Sequence, residues 1–407
     1  MNTVFEQYNS WVYPEPINDM RRAISNGSYL EIGDPYLYQS RFWPNKRNIE
    51  NLDILIAGCG SIQAAYYACR NPNWNVTGID VSDASLAHQH ELKKRHGLSN
   101  LSLHKCDLYD LKSLGNSYDF IVSTGVIHCL PDPVRGLSTL KEALRPDGVI
   151  NLMVYGQTLR LGVYMMQEVF SLLNCQQSRE DVQIVKETIK SLHPDHVLQR
   201  YVRSAPDLNS DSGIVDTFLP SRDRAYYVKD IYELTRDSGL EFLTWCDPIE
   251  YSIEASIPSD HPLRKKLESV KPEIAEHVCD LLTQLRGTHR WAAAHPGYVK
   301  KSIIPFENDL FFDCIVSLHS SVTIIQKADN QQKKNMLCLR RNIPFEINYE
   351  LGEILERADG IKTLTQLFSE LALTPDNADT FRRRVQVDFR SLWKQGHLNI
   401  FFSKNTI

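Results

Sequence analysis

The sequence has no long apolar run and no excess of basic residues, and each absence argues against a class of partner. Nowhere do about 18 consecutive apolar residues occur, so no membrane-spanning helix is predicted. The 45 lysines and arginines are outnumbered by 50 aspartates and glutamates, and the net charge of −5 offers no general attraction to nucleic acid or anionic lipid. We therefore expect neither nucleic acid nor a membrane as partner.

The sequence also lacks paired cysteines: nine are scattered along the chain, and no two stand in a C-x-x-C pair. This spacing is not typical of a structural zinc site or of a disulfide framework. The N-terminal residues lack a basic segment followed by an apolar stretch, which a secretory leader would have. We expect a reduced, cytoplasmic protein without a metal site.

The chain has enough apolar residues for a large core, since 42% of its 407 residues are hydrophobic. Residues 1–49 are rich in aromatic residues and prolines, which predicts an N-terminal lid rather than a core. From residue 51, short β-rich runs alternate with helical patterns. This alternation is typical of an α/β protein with a mostly parallel sheet and helices on both faces.

The alternation is interrupted and then ends. Residues 156–214 have helical patterns and a polar loop, so we interpret them as a helical cap inserted into a core domain of residues 50–300. Residues 301–407 read as three helices followed by a hairpin-like β stretch, which is the order of a winged-helix unit. We predict an accessory α+β domain there, although its helices carry no exceptional basic cluster.

The segment ILIAGCGSI, residues 54–62, is an apolar run that stops at Gly58 and Gly60. In an open α/β sheet, ligands bind at the carboxyl ends of strands, and glycine lets a ligand approach the backbone there. Asp80 ends the next predicted strand, where a carboxylate can accept hydrogen bonds from both ribose hydroxyls. Glycines alone also fit a tight turn that packs a helix on a strand, but together with Asp80 they indicate a nucleoside site.

Asp107 and Leu108 follow the third predicted strand. A carboxylate at this place can accept a hydrogen bond from the exocyclic amine of an adenine, with the Leu108 N–H facing the ring. The alternative is a solvated aspartate at a strand end.

Taken together, residues 50–155 resemble the class I S-adenosylmethionine-dependent methyltransferases. The resemblance rests on the segments ILIAGCGSI, GIDVS, KCDLYDL, FIVSTGVIHCLPDP and LKEALRPDGVINLMVYG. It implies a Rossmann-like core with a seven-stranded, mostly parallel sheet and S-adenosylmethionine as cofactor. It also implies which residues contact the cofactor. Gly58, Cys59 and Gly60 would line the methionine portion, and Asp80 and Val81 the ribose. Asp107 and Leu108 would line the adenine, and Thr124 and Gly125 the sulfonium side.

The sequence departs from the family pattern at two positions. Ile56 stands where the family commonly has an acidic residue, and Ile62 stands where it has a third glycine. The first change removes a partner for the cofactor's ammonium group and the second crowds the turn. Both changes are expected to weaken cofactor binding rather than to alter the fold.

His128 is the candidate catalytic base, because it follows the fourth predicted strand beside the cofactor's reactive end. A ring that is hydrogen-bonded within its own loop is the alternative. Tyr13, with the neighbouring aromatic residues Tyr8 and Trp11, can cover the pocket and face a positive charge, or it can simply pack the lid on the sheet. The segment DTFLPSRDRAYYV, with Asp216 and two arginines, is expected where the acceptor enters, although a structural ion pair also explains it.

We interpret the chain as a methyltransferase that methylates an oxygen or nitrogen atom of a small organic acceptor. A protein side chain is the alternative acceptor, and a binding protein that senses the cofactor and interacts through a winged-helix domain is the non-enzymatic alternative. A nicotinamide dehydrogenase would need a small residue where Gln63 stands. A homodimer is left open.

Overall fold

The structure is a computed structural model that describes residues 3–25, 33–258, 260–329, 331, 334–340, 343–370, 378–404 and 406. Within these residues the chain forms two compact units. The sheet unit lies within residues 1–33, 50–245 and 265–298, and the C-terminal unit lies within 34–49, 246–264 and 299–407. The segments 34–49 and 246–264 thus belong to the C-terminal unit although they precede it in the chain. The predicted domain boundaries stay a prediction.

The α-helices of the described residues are numbered in chain order. They are α1 (Val4–Ser10), α2 (Met20–Ser25), α3 (Pro35–Phe42), α4 (Gln63–Arg70), α5 (Asp83–His96), α6 (Pro133–Glu142), α7 (Leu161–Leu172), α8 (Arg179–Ser191), α9 (Gln199–Val202), α10 (Asp211–Phe218), α11 (Val228–Asp237), α12 (Ile253–Ser256), α13 (Leu263–Glu268), α14 (Pro272–Thr283), α15 (Pro296–Lys301), α16 (Tyr349–Arg357), α17 (Leu364–Glu370) and α18 (Ala378–Lys394). Short 3₁₀ helices span Leu108–Leu114, Ile127–Cys129, Pro206–Asn209, Pro248–Tyr251 and Asp309–Asp313.

The strands of the described residues are numbered in the same way. They are β1 (Asp53–Ala57), β2 (Asn75–Asp80), β3 (Leu101–Lys105), β4 (Tyr118–Thr124), β5 (Leu144–Tyr155), β6 (Glu241–Trp245), β7 (Thr288–Ala294), β8 (Ile315–Leu318), β9 (Val322–Gln326), β10 (Met336–Arg340), β11 (Ile343–Ile347) and β12 (Leu398–Phe401).

Among the described residues, the main sheet has seven strands in the order β3-β2-β1-β4-β5-β7-β6. Strands β1 to β5 run parallel, and β7 runs antiparallel to both of its neighbours. The apolar run of β1 is fully buried, because helices cover a parallel sheet on both faces. The predicted Rossmann-like α/β fold is confirmed, and the chain order reverses between β1 and β4, where such sheets bind ligands.

The helical insertion has an apolar core of its own. Helices α7 to α10 supply most of its buried side chains, which are Val163, Met166, Phe170, Val182, Val185, Ile189, Leu198, Tyr201, Ile214, Val215, Phe218 and Leu219. Trp11 of the N-terminal segment packs against this core, and its indole N–H donates a hydrogen bond of 3.2 Å to the carbonyl of Gln177. The N-terminal segment therefore contacts the insertion as well as the sheet.

The C-terminal unit has the three predicted helices, α16, α17 and α18, followed by strand β12. Instead of closing a terminal hairpin, β12 pairs antiparallel with β8, with Leu398 opposite Leu318, which corrects the expected hairpin. Strands β9, β10 and β11 form a separate antiparallel sheet. The winged-helix interpretation stays a prediction.

Candidate functional site

The bend after β1 requires glycine at two positions. Gly58 and Gly60 have φ angles of +77° and +52°, in the left-handed region that side chains disfavour. A Cβ on Gly58 would lie 2.2 Å from Cγ2 of Val126, so this position is also closed to any side chain. Ile62 has a φ of −141°, which any residue adopts, so the backbone needs no third glycine there.

Asp80, at the end of β2, is tied to this bend. Its Oδ2 accepts a hydrogen bond of 2.8 Å from the Gly60 N–H, and its Oδ1 accepts one of 2.8 Å from the Ser82 N–H. Burial raises the pKa of the carboxyl group, and the backbone hydrogen bonds oppose that rise. Each carboxylate oxygen keeps a lone pair for a further donor. The structure thus brings together the glycines and the acidic residue that the sequence indicates, and Val81 follows directly.

The remaining residues predicted at this end of the sheet lie on the next strands. Asp107 starts the 3₁₀ helix after β3 by accepting a hydrogen bond of 2.9 Å from the Tyr109 N–H, and Leu108 is buried behind it. Thr124 ends β4, where its Oγ1 accepts a hydrogen bond of 3.2 Å from the Gln63 amide. We call this set the glycine side of the site; it comprises Gly58, Cys59, Gly60, Asp80, Val81, Asp107, Leu108, Thr124 and Gly125.

The N-terminal segment lies over the glycine bend. The Ser61 hydroxyl donates a hydrogen bond of 2.7 Å to the Pro14 carbonyl, and a Cβ built on Gly60 would lie 3.4 Å from the Tyr13 carbonyl. The Ser82 hydroxyl donates to the Tyr8 carbonyl at 3.1 Å. The Tyr13 side chain is partly buried, and its burial raises the pKa of the phenol. Tyr13 therefore lies beside the glycine bend, and its role as a lid residue stays a prediction.

A second group of polar side chains surrounds Asp216 of α10. The Tyr8 hydroxyl donates a hydrogen bond of 2.8 Å to Oδ1 of Asp216, and the Tyr155 hydroxyl donates one of 2.6 Å to Oδ2. Burial raises the pKa of the Asp216 carboxyl, and the two phenol hydrogen bonds oppose this effect. The N-terminal segment, the end of β5 and α10 therefore meet at one carboxyl group.

His128 lies in the 3₁₀ turn after β4 and is 2% exposed. Its ring stacks on the Tyr155 ring with centroids 4.1 Å apart, and its Nδ1 has no hydrogen-bond partner among the described residues. Burial lowers the pKa of the imidazole to about 4, against the opposing charge of Asp223. The ring is therefore neutral at pH 7.

Arg160 is 1% exposed and lies over the Tyr155 ring, with its guanidinium carbon 3.7 Å from the centroid. It donates a hydrogen bond of 2.8 Å to the Tyr201 hydroxyl and pairs with Oδ2 of Asp223 at 3.3 Å. We call this second set the tyrosine side of the site; it comprises Tyr8, His128, Tyr155, Arg160, Asp216 and Asp223.

No group of three or more histidine, cysteine or acidic side chains within the described residues is arranged to hold a metal ion. In the same part of the chain, no helix combines the length and the apolar character that a membrane crossing needs.

Comparison with known proteins identifies the part of the chain that contains the glycine side. Residues 55–150 match the family model described as a methyltransferase domain. Residues 55–150 are a methyltransferase domain. The resemblance to class I methyltransferases inferred from the motifs is confirmed.

The fold around the methyltransferase domain is also similar to a solved structure. The structure of PKMT2 from Rickettsia typhi in complex with AdoHcy aligns with 92% of this chain and 76% of that chain, with a TM-score of 0.62 and 19% identity. At this level of identity the likeness shows the fold alone.

Two curated relatives extend the comparison at the level of sequence. The uncharacterized Synechococcus protein syc1184_c is 30% identical over 236 residues, which are 56% of this chain and 57% of that protein. Trans-aconitate 2-methyltransferase of Deinococcus radiodurans is 36% identical over 102 residues, 25% of this chain and 37% of that enzyme. The chain thus matches little more than half of the first relative's length and less of the second's.

The residues of the glycine side were all predicted from the sequence, but only part of the tyrosine side was. In the segment after the insertion, Asp216 and Asp223 have buried side chains, whereas Arg222 and Arg224 are exposed. Tyr155 and Arg160 were not singled out from the sequence. The sequence does contain a pattern that marks them. Both are polar residues that come after the apolar run of β5, at the carboxyl end of the sheet, where ligands bind in such folds.

Proposed function

We propose that this chain transfers the methyl group of S-adenosylmethionine to an oxygen or nitrogen atom of a small organic acceptor. The observation that carries the proposal is the pairing of Asp80 with the glycine bend, at the point where the strand order reverses and next to a buried group of acid and base side chains. When bound, S-adenosylmethionine supplies an electrophilic methyl group on a sulfonium, which is open to in-line displacement.

The residues of the glycine side fit this cofactor. Gly58 and Gly60 make the bend with left-handed φ angles and without side chains of their own. Val126 and the Tyr13 carbonyl lie where their Cβ atoms would stand, so the methionine portion is expected along the rest of the bend's backbone.

Asp80 has lone pairs left for two ribose hydroxyls after its two backbone hydrogen bonds. Asp107 uses one oxygen for its own turn and keeps the other for the adenine amine, beside the apolar Leu108.

The tyrosine side fits the role of binding and orienting the acceptor. The lid residue Tyr8 is hydrogen-bonded to Asp216, and this contact keeps water from the site, which strengthens electrostatic interactions inside it. His128 is neutral at pH 7 and can accept a hydrogen bond from the acceptor through Nδ1, although a pKa of about 4 makes it a weak base. Positioning is therefore the main contribution expected of the chain, and it can supply about 7–11 kcal/mol of the barrier.

The burial of the tyrosine side supports a small acceptor. His128, Arg160 and Asp216 are at most 6% exposed, and the lid and the insertion both cover them. Side chains this buried are out of reach of an extended polymer surface, which favours a small molecule or the tip of one side chain as acceptor.

The test is a transfer assay with the full chain, methyl-labelled S-adenosylmethionine and a cell extract. Label in the small-molecule fraction is the expected result. Label in precipitated protein would instead identify a protein acceptor. Binding of S-adenosylhomocysteine without any transfer to the extract would favour a sensor, and absence of such binding would contradict the proposal.

We propose further that the protein acts in a reducing, cytoplasmic compartment and that residues 301–407 form an accessory domain. The cysteines of the described structure are all free, as expected where thiols stay reduced. The predicted winged-helix character of residues 301–407 is part of this proposal.

A further inference from the structure

One oxygen of Asp223 is buried without a partner. Oδ2 of Asp223 pairs with Arg160 and accepts a hydrogen bond of 3.2 Å from the Gln167 amide. Oδ1 has no hydrogen-bond partner among the described residues, and the side chain is 2% exposed. A buried carboxylate oxygen without a donor is costly, so this atom is open to a hydrogen-bond donor from a ligand or from water that a ligand displaces.

A second unpartnered atom lies in the same cluster. His128 Nδ1 is buried without a partner, and the charge of Asp223 acts on the His128 ring. The two unpaired polar atoms come from separate elements, the turn after β4 and the loop after α10, and both belong to the tyrosine side. They indicate a polar ligand at this place.

The charges of the tyrosine side favour a ligand that is not an anion. Asp216 and Asp223 are the two carboxyl groups of this set, and Arg160 is its one permanent cation. The imidazole of His128 is neutral, so the set has one more acidic group than basic groups. An anionic acceptor would add negative charge to a buried, low-dielectric site, where it has no unpaired cation to bind.

Resting on the proposed function, we infer that Asp223 is a specificity-determining residue for the methyl acceptor. Its Oδ1 accepts a hydrogen bond from an N–H or O–H group of the acceptor, so the acceptor is an amine or an alcohol, and carboxylate acceptors are rejected. The acceptor then differs in class from the polycarboxylate trans-aconitate, the acceptor in the name of the Deinococcus relative.

The sulfonium of the methyl donor does not account for this atom. A sulfonium carries positive charge but no N–H or O–H bond, so it cannot donate a hydrogen bond to Asp223 Oδ1. The donor's ammonium group could do so, and the test below therefore measures cofactor binding separately from binding at the acceptor position.

The test is a binding titration with two probes of similar size, n-butylamine hydrochloride and sodium butyrate, followed by NMR. Both probes are titrated into the full chain, with and without saturating S-adenosylhomocysteine. We expect n-butylamine to bind at least tenfold more tightly than butyrate. In Asp223→Asn this preference should fall below threefold, while the affinity for S-adenosylhomocysteine stays within threefold of wild type.

The matched control is Asp195→Asn, which makes the same substitution in the preceding insertion at a side chain that is 92% exposed. This variant should keep the wild-type preference. Asp223→Asn leaves the Arg160 guanidinium without its carboxylate partner, which can prevent folding. The double variant Arg160→Gln/Asp223→Asn removes both charges and is measured if the single variant does not fold.

Three results would overturn the inference: butyrate binding as tight as n-butylamine, saturable binding of neither probe, or an amine preference that the Asp223 variants retain. A tenfold loss of S-adenosylhomocysteine affinity in Asp223→Asn would assign the residue to the donor and also overturn it. Failure of the wild-type chain to bind S-adenosylhomocysteine would instead contradict the proposed function. In that case the probe titrations done without S-adenosylhomocysteine still test the role of Asp223.

Discussion

The glycine side and the tyrosine side lie at the same end of one sheet, but they are built differently. The glycine side is centred on a bend of backbone N–H groups and glycines and on the carboxylate of Asp80, whose partner Gly60 lies twenty residues away. The tyrosine side consists of side chains, and its hydrogen bond from Tyr8 to Asp216 spans 208 residues. A backbone site depends on local chain geometry, whereas a side-chain site depends on how distant segments pack.

This difference separates the expected roles of the two sides. Changes on the glycine side should act on cofactor binding and on the fold of the bend. Changes on the tyrosine side should act on turnover and leave cofactor binding nearly intact. A glycine-side change that slowed turnover alone, or a tyrosine-side change that abolished cofactor binding, would contradict this separation.

The largest effect is expected for Asp80→Ala on the glycine side. The variant removes the acceptor for the ribose hydroxyls and leaves the Gly60 and Ser82 N–H groups unpaired. We expect roughly a 1,000-fold loss of S-adenosylhomocysteine affinity, about 4 kcal/mol, by calorimetry.

The matched control for this variant is Asp83→Ala, three residues away. The Asp83 side chain is 62% exposed and pairs with Lys105 on the surface. Its loss should change the affinity less than threefold. Near-wild-type affinity in Asp80→Ala would show that the carboxylate does not hold the cofactor.

A slightly smaller effect is expected for Gly58→Ala, measured as the free energy of unfolding. The new methyl group would meet Val126 at 2.2 Å in a backbone conformation with φ +77°. We expect a loss of about 3 kcal/mol in chemical denaturation.

The control for Gly58→Ala is Gly97→Ala, at φ +64° with no atom within 4 Å of the new Cβ. It carries the backbone strain without the contact and should cost about 1 kcal/mol. If both variants lost the same free energy of unfolding, the contact with Val126 would not be the reason that the bend requires glycine.

On the tyrosine side, His128→Ala should slow turnover roughly 10- to 100-fold, about 1.4–2.7 kcal/mol, because an acceptor loses a hydrogen-bonding and positioning group. The affinity for S-adenosylhomocysteine should stay within threefold of wild type. His104→Ala, at an exposed position of β3, is the control and should keep wild-type kinetics. Wild-type turnover in His128→Ala would remove the assigned role.

The smallest effect concerns the pH dependence of stability. The pKa of His128 is about 4 in the folded chain against 6.5 for an ordinary histidine, so the unfolded chain binds the proton first. Its contribution to stability is complete above pH 6.5 and is lost as pH falls toward 4.

Between pH 7 and pH 5, the wild-type free energy of unfolding should therefore fall by up to about 2 kcal/mol more than that of His128→Ala. Other titrating groups are common to both proteins and cancel in the difference. Parallel curves for the two proteins would contradict a buried, neutral imidazole.

Several parts of the site could be predicted because their signal is local. Gly58 and Gly60 interrupt an apolar run, and Asp80 follows at the spacing of one helix and one strand. Their meeting is then a consequence of parallel pairing between β1 and β2. Arg160 and Asp223 could not be paired from the sequence, since either could have formed a surface ion pair with any of several neighbours.

The same contrast holds for the fold. The alternation of strands and helices predicted the sheet, and Gly239 marked the end of α11. The pairing of β12 with β8 was not predictable, because the partner strand lies far away in the chain and its short apolar run fits several positions.

By itself, the sequence of this protein determined a parallel sheet, a glycine bend and a carboxylate facing it. These features follow from residue periodicity and from the steric freedom of glycine, both of which act over a few residues. Only the tertiary structure decided that Tyr8, His128, Tyr155, Arg160, Asp216 and Asp223 form one set. Partners of buried polar groups are selected by the packing of whole segments, and a periodic pattern does not encode which segments meet.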